Sequence, residues 1–125
     1  MTSEYPRFQP YPLLLDVLVL ENAKIDSKGN SDAYFNYGAT HADVLIHVGS
    51  ATGSPSITFY LLVVEPSSGK VIRSYAGSEI TAGDTADYIT VHGLTLGTHL
   101  AVGWDGTLDS SNYFEGVYVR LIAKA

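Results

Sequence analysis

The sequence predicts an all-β chain folded as an antiparallel two-sheet β-sandwich, Ig-like or jelly-roll in connectivity, with about eight strands and an extended N-terminal arm. Three observations predict it. No eleven-residue window carries apolar residues at i, i+3, i+4 and i+7, the signature of an amphipathic helix. Short runs rich in Val, Ile, Leu, Tyr and Phe recur along the chain, and these residues suit a pleated surface. Clusters of Gly, Ser, Asn, Asp and Pro separate the runs about every 8–12 residues, the turn spacing of a sandwich or small barrel.

Residues 1–12 stand apart. Pro6, Pro10 and Pro12 are interleaved with Tyr5, Phe8 and Tyr11. Each proline fixes its own φ and pushes its predecessor towards extended geometry, so an arm of polyproline character is expected rather than a helix. Tyr5, Pro6, Phe8, Pro10 and Tyr11 are its expected contact residues, because aromatic rings in a solvated tail would be unusual. The competing reading is a frayed terminus.

The sandwich is expected over 13–125 as one domain without linker or internal repeat. Residues 13–22 (LLLDVLVLEN) form the first strand, with Asp16 and Glu21 at wet positions. Residues 23–31 (AKIDSKGNS) are polar and read as a loop, and 32–37 (DAYFNY) as a short aromatic strand. Residues 43–48 alternate, with Val44, Ile46 and Val48 on one face and Asp43, Leu45 and His47 on the other. Residues 49–56 (GSATGSPS) carry turn chemistry, and 57–65 (ITFYLLVVE) read as the most buried strand. A tight turn at 66–69 (PSSG) makes a hairpin with 70–75. Residues 81–85 turn into a strand at 87–91, and 93–97 lead to one at 99–104. After the loop 105–112, the last strand spans 113–123, with Tyr113, Val117, Val119 and Leu121 on one side and Arg120 on the other. The expected core is Val44, Ile46, Phe59, Leu61, Val63, Leu100, Val102, Trp104, Val119 and Leu121.

Composition narrows the function. Charged residues are only 16% of the chain, and nine tyrosines stand among many Gly, Ser and Thr. A surface poor in charge and rich in Tyr suits a protein that packs on others. The net charge is −6 and the seven basic residues form no cluster, which argues against nucleic acid and against an anionic membrane surface. No apolar run approaches the ~20 residues of a spanning helix. Without cysteine there are no disulfides, thiol nucleophiles or Cys-based metal sites. The first residues lack the basic and apolar regions of a signal peptide, so synthesis and assembly in a cytoplasm are expected.

Catalytic and metal motifs are weak. No Ser sits in a Gly-x-Ser-x-Gly elbow, and His41, His47, His92 and His99 lie at strand ends or on an outward face. Asp26, Lys28, Asn30 and Asp32 imitate calcium-loop spacing, but a lysine takes a ligand position. Asp105, Asp109 and Asn112 make a weaker pattern, better read as turn residues bonding their own backbone. Asp105, Asp109 and Glu115 do not resemble the paired acids of a glycosidase cleft. No catalytic, metal-binding or cofactor-binding residue is expected, and the chain is expected not to be an enzyme. The enriched feature is aromatic. Neighbours such as Tyr34-Phe35 and Tyr113-Phe114 must point to opposite faces of a strand, so at most half are core. Tyr34, Tyr37, Phe114 and Tyr118 are the expected interface residues outside the arm.

From Ile57 to the C-terminus the sequence resembles small tailed-bacteriophage virion proteins, the capsid decoration or cement proteins. The residues that carry the likeness are Glu65-Pro66-Ser67-Ser68-Gly69-Lys70, Ser78-Glu79-Ile80-Thr81-Ala82-Gly83-Asp84-Thr85, Ile89-Thr90-Val91-His92-Gly93-Leu94 and Leu100-Ala101-Val102-Gly103-Trp104. The closing strand from Phe114 to Ile122 completes it. Leu96-Gly97-Thr98-His99 stands where the group usually has Leu-Pro and an Arg. The resemblance implies a non-enzymatic virion protein that binds the major capsid protein or other virion subunits and stabilises the shell. It also implies a homo-oligomer, a trimer by preference, assembled in the host cytoplasm. The alternative from the residues alone is a carbohydrate-binding or adhesin module using exposed aromatics.

The arm yields a test. Tyr5, Phe8 and Tyr11 carry about 150–250 Å² each, mostly apolar, and their prolines lower the entropy lost on ordering. Deleting residues 1–12 is expected to leave thermal unfolding of the monomer unchanged and to weaken assembly by about tenfold or more. A drop of several degrees in melting temperature with intact assembly would show instead that the arm packs on its own sandwich.

Overall fold

The computed structural model describes residues 13–94 and 98–125, which form ten strands. In chain order these are β1 (Leu13–Ile25), β2 (Gly29–Asn30), β3 (Tyr34–Phe35), β4 (His41–Val48), β5 (Ser50–Thr52), β6 (Thr58–Glu65), β7 (Lys70–Ala76), β8 (Thr85–His92), β9 (His99–Asp105) and β10 (Tyr113–Lys124). The arm, with Tyr5, Pro6, Phe8, Pro10 and Tyr11, lies outside the described residues.

Two antiparallel sheets face each other. The first runs β1-β10-β4-β8, with β5 continuing the line of β4 along β10. The second runs β2-β9-β6-β7, with β3 beside β2 on the same edge of β9. Each sheet therefore has four positions, and the chain crosses between sheets at nearly every connection. With β2 and β3 taken as one position and β4 and β5 as another, only the β6–β7 hairpin stays within one sheet. That order is the jelly roll, one of the two connectivities the sequence allowed.

The alternation of apolar residues explains which face is buried. On β4, Ala42, Val44, Ile46 and Val48 are buried; on β6, Phe59, Leu61 and Val63 are. Leu100 and Val102 of β9 and Val119 and Leu121 of β10 complete the layer between the sheets. A hairpin turn after β6 is fastened by its own strand end: Glu65 accepts hydrogen bonds from the backbone N–H groups of Ser67 (3.0 Å) and Ser68 (2.7 Å).

Several expectations need correction, each for a local reason. The polar stretch 23–31 is not all loop, because β1 continues to Ile25 and β2 forms at 29–30. Within 49–56, β5 resumes the ladder on β10 after Gly49, whose missing side chain lets the backbone of Glu115 and Gly116 approach. Trp104 is only partly buried. Its ring covers one end of the core over Gly29, and its Nε1–H donates to the Ser27 carbonyl at 3.2 Å.

The largest correction concerns β10. Phe114, expected at an interface, is fully buried, whereas Tyr113 is half-buried beneath the Lys24 ammonium, 4.3 Å from its ring centroid. Phe114 and Val117 both point inward although three positions apart, which strict alternation forbids. A β-bulge resolves the conflict. Between the pairs Ala23–Val117 and Ile25–Phe114, β10 uses one residue more than β1, and Gly116 sits there at φ 63°. A residue with a side chain resists that left-handed conformation. Between Leu20–Val119 and Ala23–Val117 the surplus is on β1, where Asn22 takes φ 48°.

Core and surface positions of β10 should therefore separate sharply. Phe114→Ala is expected to cost about 3–5 kcal/mol in urea unfolding. Tyr118→Ala, on the outer face of the same strand, should change stability by no more than about 0.5 kcal/mol. Similar losses for the two variants would contradict the bulge.

Candidate functional site: the outer face of the first sheet

The same alternation that fills the core carries a second set of side chains to the outer face of the first sheet. The registers of the three ladders align them in rows across four strands. Leu18 of β1, Arg120 of β10, Leu45 of β4 and Tyr88 of β8 form one row. Asp16, Ile122, Asp43 and Thr90 form the next. Lys124, His41 and His92 follow at one end, and Tyr118, His47 and Ala86 at the other.

Leu18, Leu45, Tyr88 and Tyr118 are exposed, Tyr88 to 68%, with Leu13 exposed at the corner where β1 starts. Leu18, Leu45, Ile46, His47, Tyr118 and Arg120 line a shallow hollow of about 240 Å³. Exposed apolar side chains scattered singly mean little, but neighbours on one sheet face make a candidate docking surface.

The charges on this face are matched internally. Arg120 Nη1 lies 2.7 Å from Asp16 Oδ1, and Lys124 Nζ lies 3.0 Å from Asp43 Oδ2. Thr90 Oγ1 donates to Asp43 Oδ1 at 2.8 Å. Such half-exposed ion pairs add little stability. Their consequence is electrostatic: two cations and two anions cancel on this face, although the chain as a whole carries −6. A neutral apolar patch on an acidic protein adds no local charge repulsion of its own at close approach.

A second aromatic group lies on the other sheet. Phe35 and Tyr37 meet edge to face with centroids 5.0 Å apart, and Phe35 meets His99 at 5.8 Å. Both Phe35 and Tyr37 are exposed, and Tyr37 holds φ 55°. The buried Asn36 fixes this turn: its Oδ1 accepts from the Gly38 N–H at 3.0 Å and its Nδ2 donates to Thr98 Oγ1 at 3.0 Å.

Of the residues expected at an interface, Tyr118 lies on the outer face of the first sheet and Tyr37 on the turn after β3. Tyr34 leans on the core, and Phe114 is part of it. The structure thus separates Tyr37 from Tyr118 rather than gathering them. Leu18, Leu45 and Tyr88 were missed as site residues. For Leu45 the signal was present, since it shares a face with Asp43 and His47. For Leu18 and Tyr88 only the ladder register supplies it.

The oxygen-rich loop 105–112 is a turn. Asp109 Oδ1 accepts from the backbone N–H groups of Ser111 (2.8 Å) and Asn112 (2.9 Å) and from Asn112 Nδ2 (3.0 Å). Asn112 Oδ1 in turn accepts from the Ser54 N–H at 2.9 Å, tying the loop to the end of β5. Among the described residues no three His, Asp or Glu side chains converge to hold a metal ion.

No family model matches the chain, and none of the curated proteins does. Among solved structures it is similar to the SPBc2 prophage-derived protein YomS, with 13% identity and a TM-score of 0.49, over 89% of this chain and 92% of that one. It is also similar to a chain of the Bacillus endospore appendages, described as disulfide-linked pili, with 14% identity and a TM-score of 0.40, over 92% of this chain and 86% of that one.

Two tests follow from these contacts. Asn36→Ala removes the acceptor of the Gly38 N–H and one hydrogen bond to the Thr98 hydroxyl, and is expected to cost about 1–3 kcal/mol in chemical unfolding. A neutral result would show that the turn does not depend on Asn36. The Asp109 carboxyl is held below its ordinary 3.8, chiefly by the Ser111 N–H. Its contribution is thus present above that value and lost as pH falls through the lower folded-state value. Asp109→Ala should lower the melting temperature near neutrality, and the gap to wild type should close below pH 3.8. A gap that persists there would show that the carboxylate is not what stabilises the loop.

Proposed function

We propose that this chain is a non-enzymatic virion structural protein, a capsid decoration protein that docks on the major capsid protein and stabilises the shell. The observation that carries the reading is the outer face of the first sheet: exposed Leu18, Leu45, Tyr88 and Tyr118 beside internally paired charges. Flat apolar patches with aromatic anchors and matched charge belong to protein interfaces more than to small-molecule clefts. The virion assignment itself rests on the sequence resemblance over residues 57–125; a jelly roll serves capsids and lectins alike. Assembly in the host cytoplasm and a homo-oligomeric state belong to the same proposal.

The carbohydrate-binding alternative would draw on Phe35 and Tyr37. Those rings stand edge to face at 79°, so they offer a sugar ring no common plane. The first sheet is the stronger candidate.

A search of the neighbouring genes for a major capsid protein, and shells assembled from it, provide the test. The purified protein is expected to co-sediment with them and to raise their unfolding temperature. Leu45→Glu and Tyr118→Ser alter exposed side chains, so both variants should fold, and each should weaken shell binding by about tenfold or more. Absence of shell binding, with micromolar binding to a glycan lost on removing Phe35 and Tyr37, would establish the alternative.

A further inference from the structure

An open sheet edge presents unpaired N–H and C=O groups that can template another strand, and folded proteins usually blunt such edges. Here the edges differ. Along β1 the ladder shifts register at four places. Along β7 it shifts once, between Val71 and Arg73. β2 and β3 are two residues each. β8 alone among the described edge strands is long and regular: Thr85–His92 pairs residue for residue with His41–Val48 over eight positions without a shift. Among the described residues β4 is its only strand partner. It contains no Pro, Gly or Lys to discourage pairing, and its Tyr88 is 68% exposed.

We propose that β8 pairs antiparallel with β8 of a second copy about a two-fold axis centred on Tyr88, joining two first sheets into one. The register follows from chemistry. A two-fold perpendicular to the sheet keeps both outer faces on the same side, so the axis must fall on a residue. Centred on Tyr88, it sets Tyr88 against Tyr88, pairs residues 85–91 of each copy, and brings His92 of one copy towards Asp84, the turn residue at φ 48° just before the strand, of the other. Asp84 borders the strand, and its side chain is 96% exposed beside His47. Asp87 then faces Ile89, so no acid opposes an acid. Moving the axis to Ile89 would set His92 against Ala86 and lose both complementary contacts. Hydrogen-bonding and aromatic pairs directly across strands stabilise a sheet, and a His ring N–H can donate to a carboxylate, while like charges there oppose pairing.

The pairing also lengthens the docking surface. Leu18, Arg120, Leu45 and Tyr88 meet the same row of the second copy end to end, making one continuous stripe across both molecules. This two-fold pair differs from the trimer implied by the resemblance, and it does not depend on what the face binds.

Light scattering coupled to size exclusion, on the full chain at high micromolar concentration, tests it. Wild type is expected at twice the chain mass of 13.4 kDa. Tyr88→Lys places two cations opposite each other and should weaken self-association by about tenfold or more, while Tyr88→Phe retains it. Circular dichroism and thermal unfolding establish that each variant is folded. Hydrogen exchange gives a second reading: amides of 85–91 should gain protection as concentration rises. A monomer, a trimer, a dimer that survives Tyr88→Lys, or exchange at 85–91 that ignores concentration would each overturn the proposal.

Discussion

Strand β10 is the constraint on which the first sheet depends. It runs between β1 on one side and β4 with β5 on the other, so its inward residues fill the core and its outward residues define the outer face. From Val117 to Ala123 the alternation is strict, and both sets of side chains are placed by it. One bulge at Glu115–Gly116 then reverses the phase, which lets Phe114 enter the core although Tyr118 must stay outside. Had β10 stayed regular, Phe114 would have lain exposed and Tyr113 would have pointed inward. Leaving a Phe exposed forfeits about 1.5–3 kcal/mol of burial, and a glycine at the bulge takes the left-handed conformation without a Cβ clash.

Much of this was legible in the sequence, and most of the failures share one cause. Residues 43–48 gave the correct faces of β4, and the odd-numbered choice on β6 was correct although Val64 is buried too. Leu100, Val102, Val119 and Leu121 were also placed correctly. Errors cluster where the period of two is broken: at Gly49, where β4 hands over to β5; at Asn22; and at Gly116. A bulge needs only one residue in an unusual conformation, and single Gly or Asn residues also mark ordinary turns. Local sequence does not tell the two apart; the partner strand does. Row membership across strands is hidden for the same reason, since Leu18 and Tyr88 are separated by seventy residues and meet only through β10 and β4.

The charges of the outer face show how one strand partner limits another. Asp16 and Arg120 occupy neighbouring rows on β1 and β10, while Asp43 and Lys124 do the same on β4 and β10. Each cation therefore comes from β10 and each anion from a flanking strand. The two pairs draw the charged groups along the sheet surface and leave Leu45 and Tyr118 uncovered. A single-signed face of equal apolar area would attract some partners at long range and repel others. A cancelled face does neither, and its selectivity comes from shape and contact.

Connectivity explains why the regular edge falls where it does. In a jelly roll the first and last strands of the chain lie side by side, here as β1 and β10, so the terminal strand β1 forms one edge of its sheet. The opposite edge goes to β8, which must cross from the hairpin strand β7 and return to β9 in the other sheet. β1 meets β10 where both carry bulges, and it inherits their irregularity. Among the described residues β8 pairs only with β4, whose alternation is unbroken from Ala42 to Val48, and it copies that regularity along its whole length. The regular edge is thus a consequence of the best-patterned strand in the core. The same clean alternation on β4 that buries Val44 and Ile46 gives β8 a straight, uninterrupted backbone at the border of the exposed apolar face. An edge strand and a docking face that share Tyr88 are physically one surface. A second copy paired along β8, as proposed, would also shield part of the face, so the proposed pairing and the proposed docking are coupled through Tyr88.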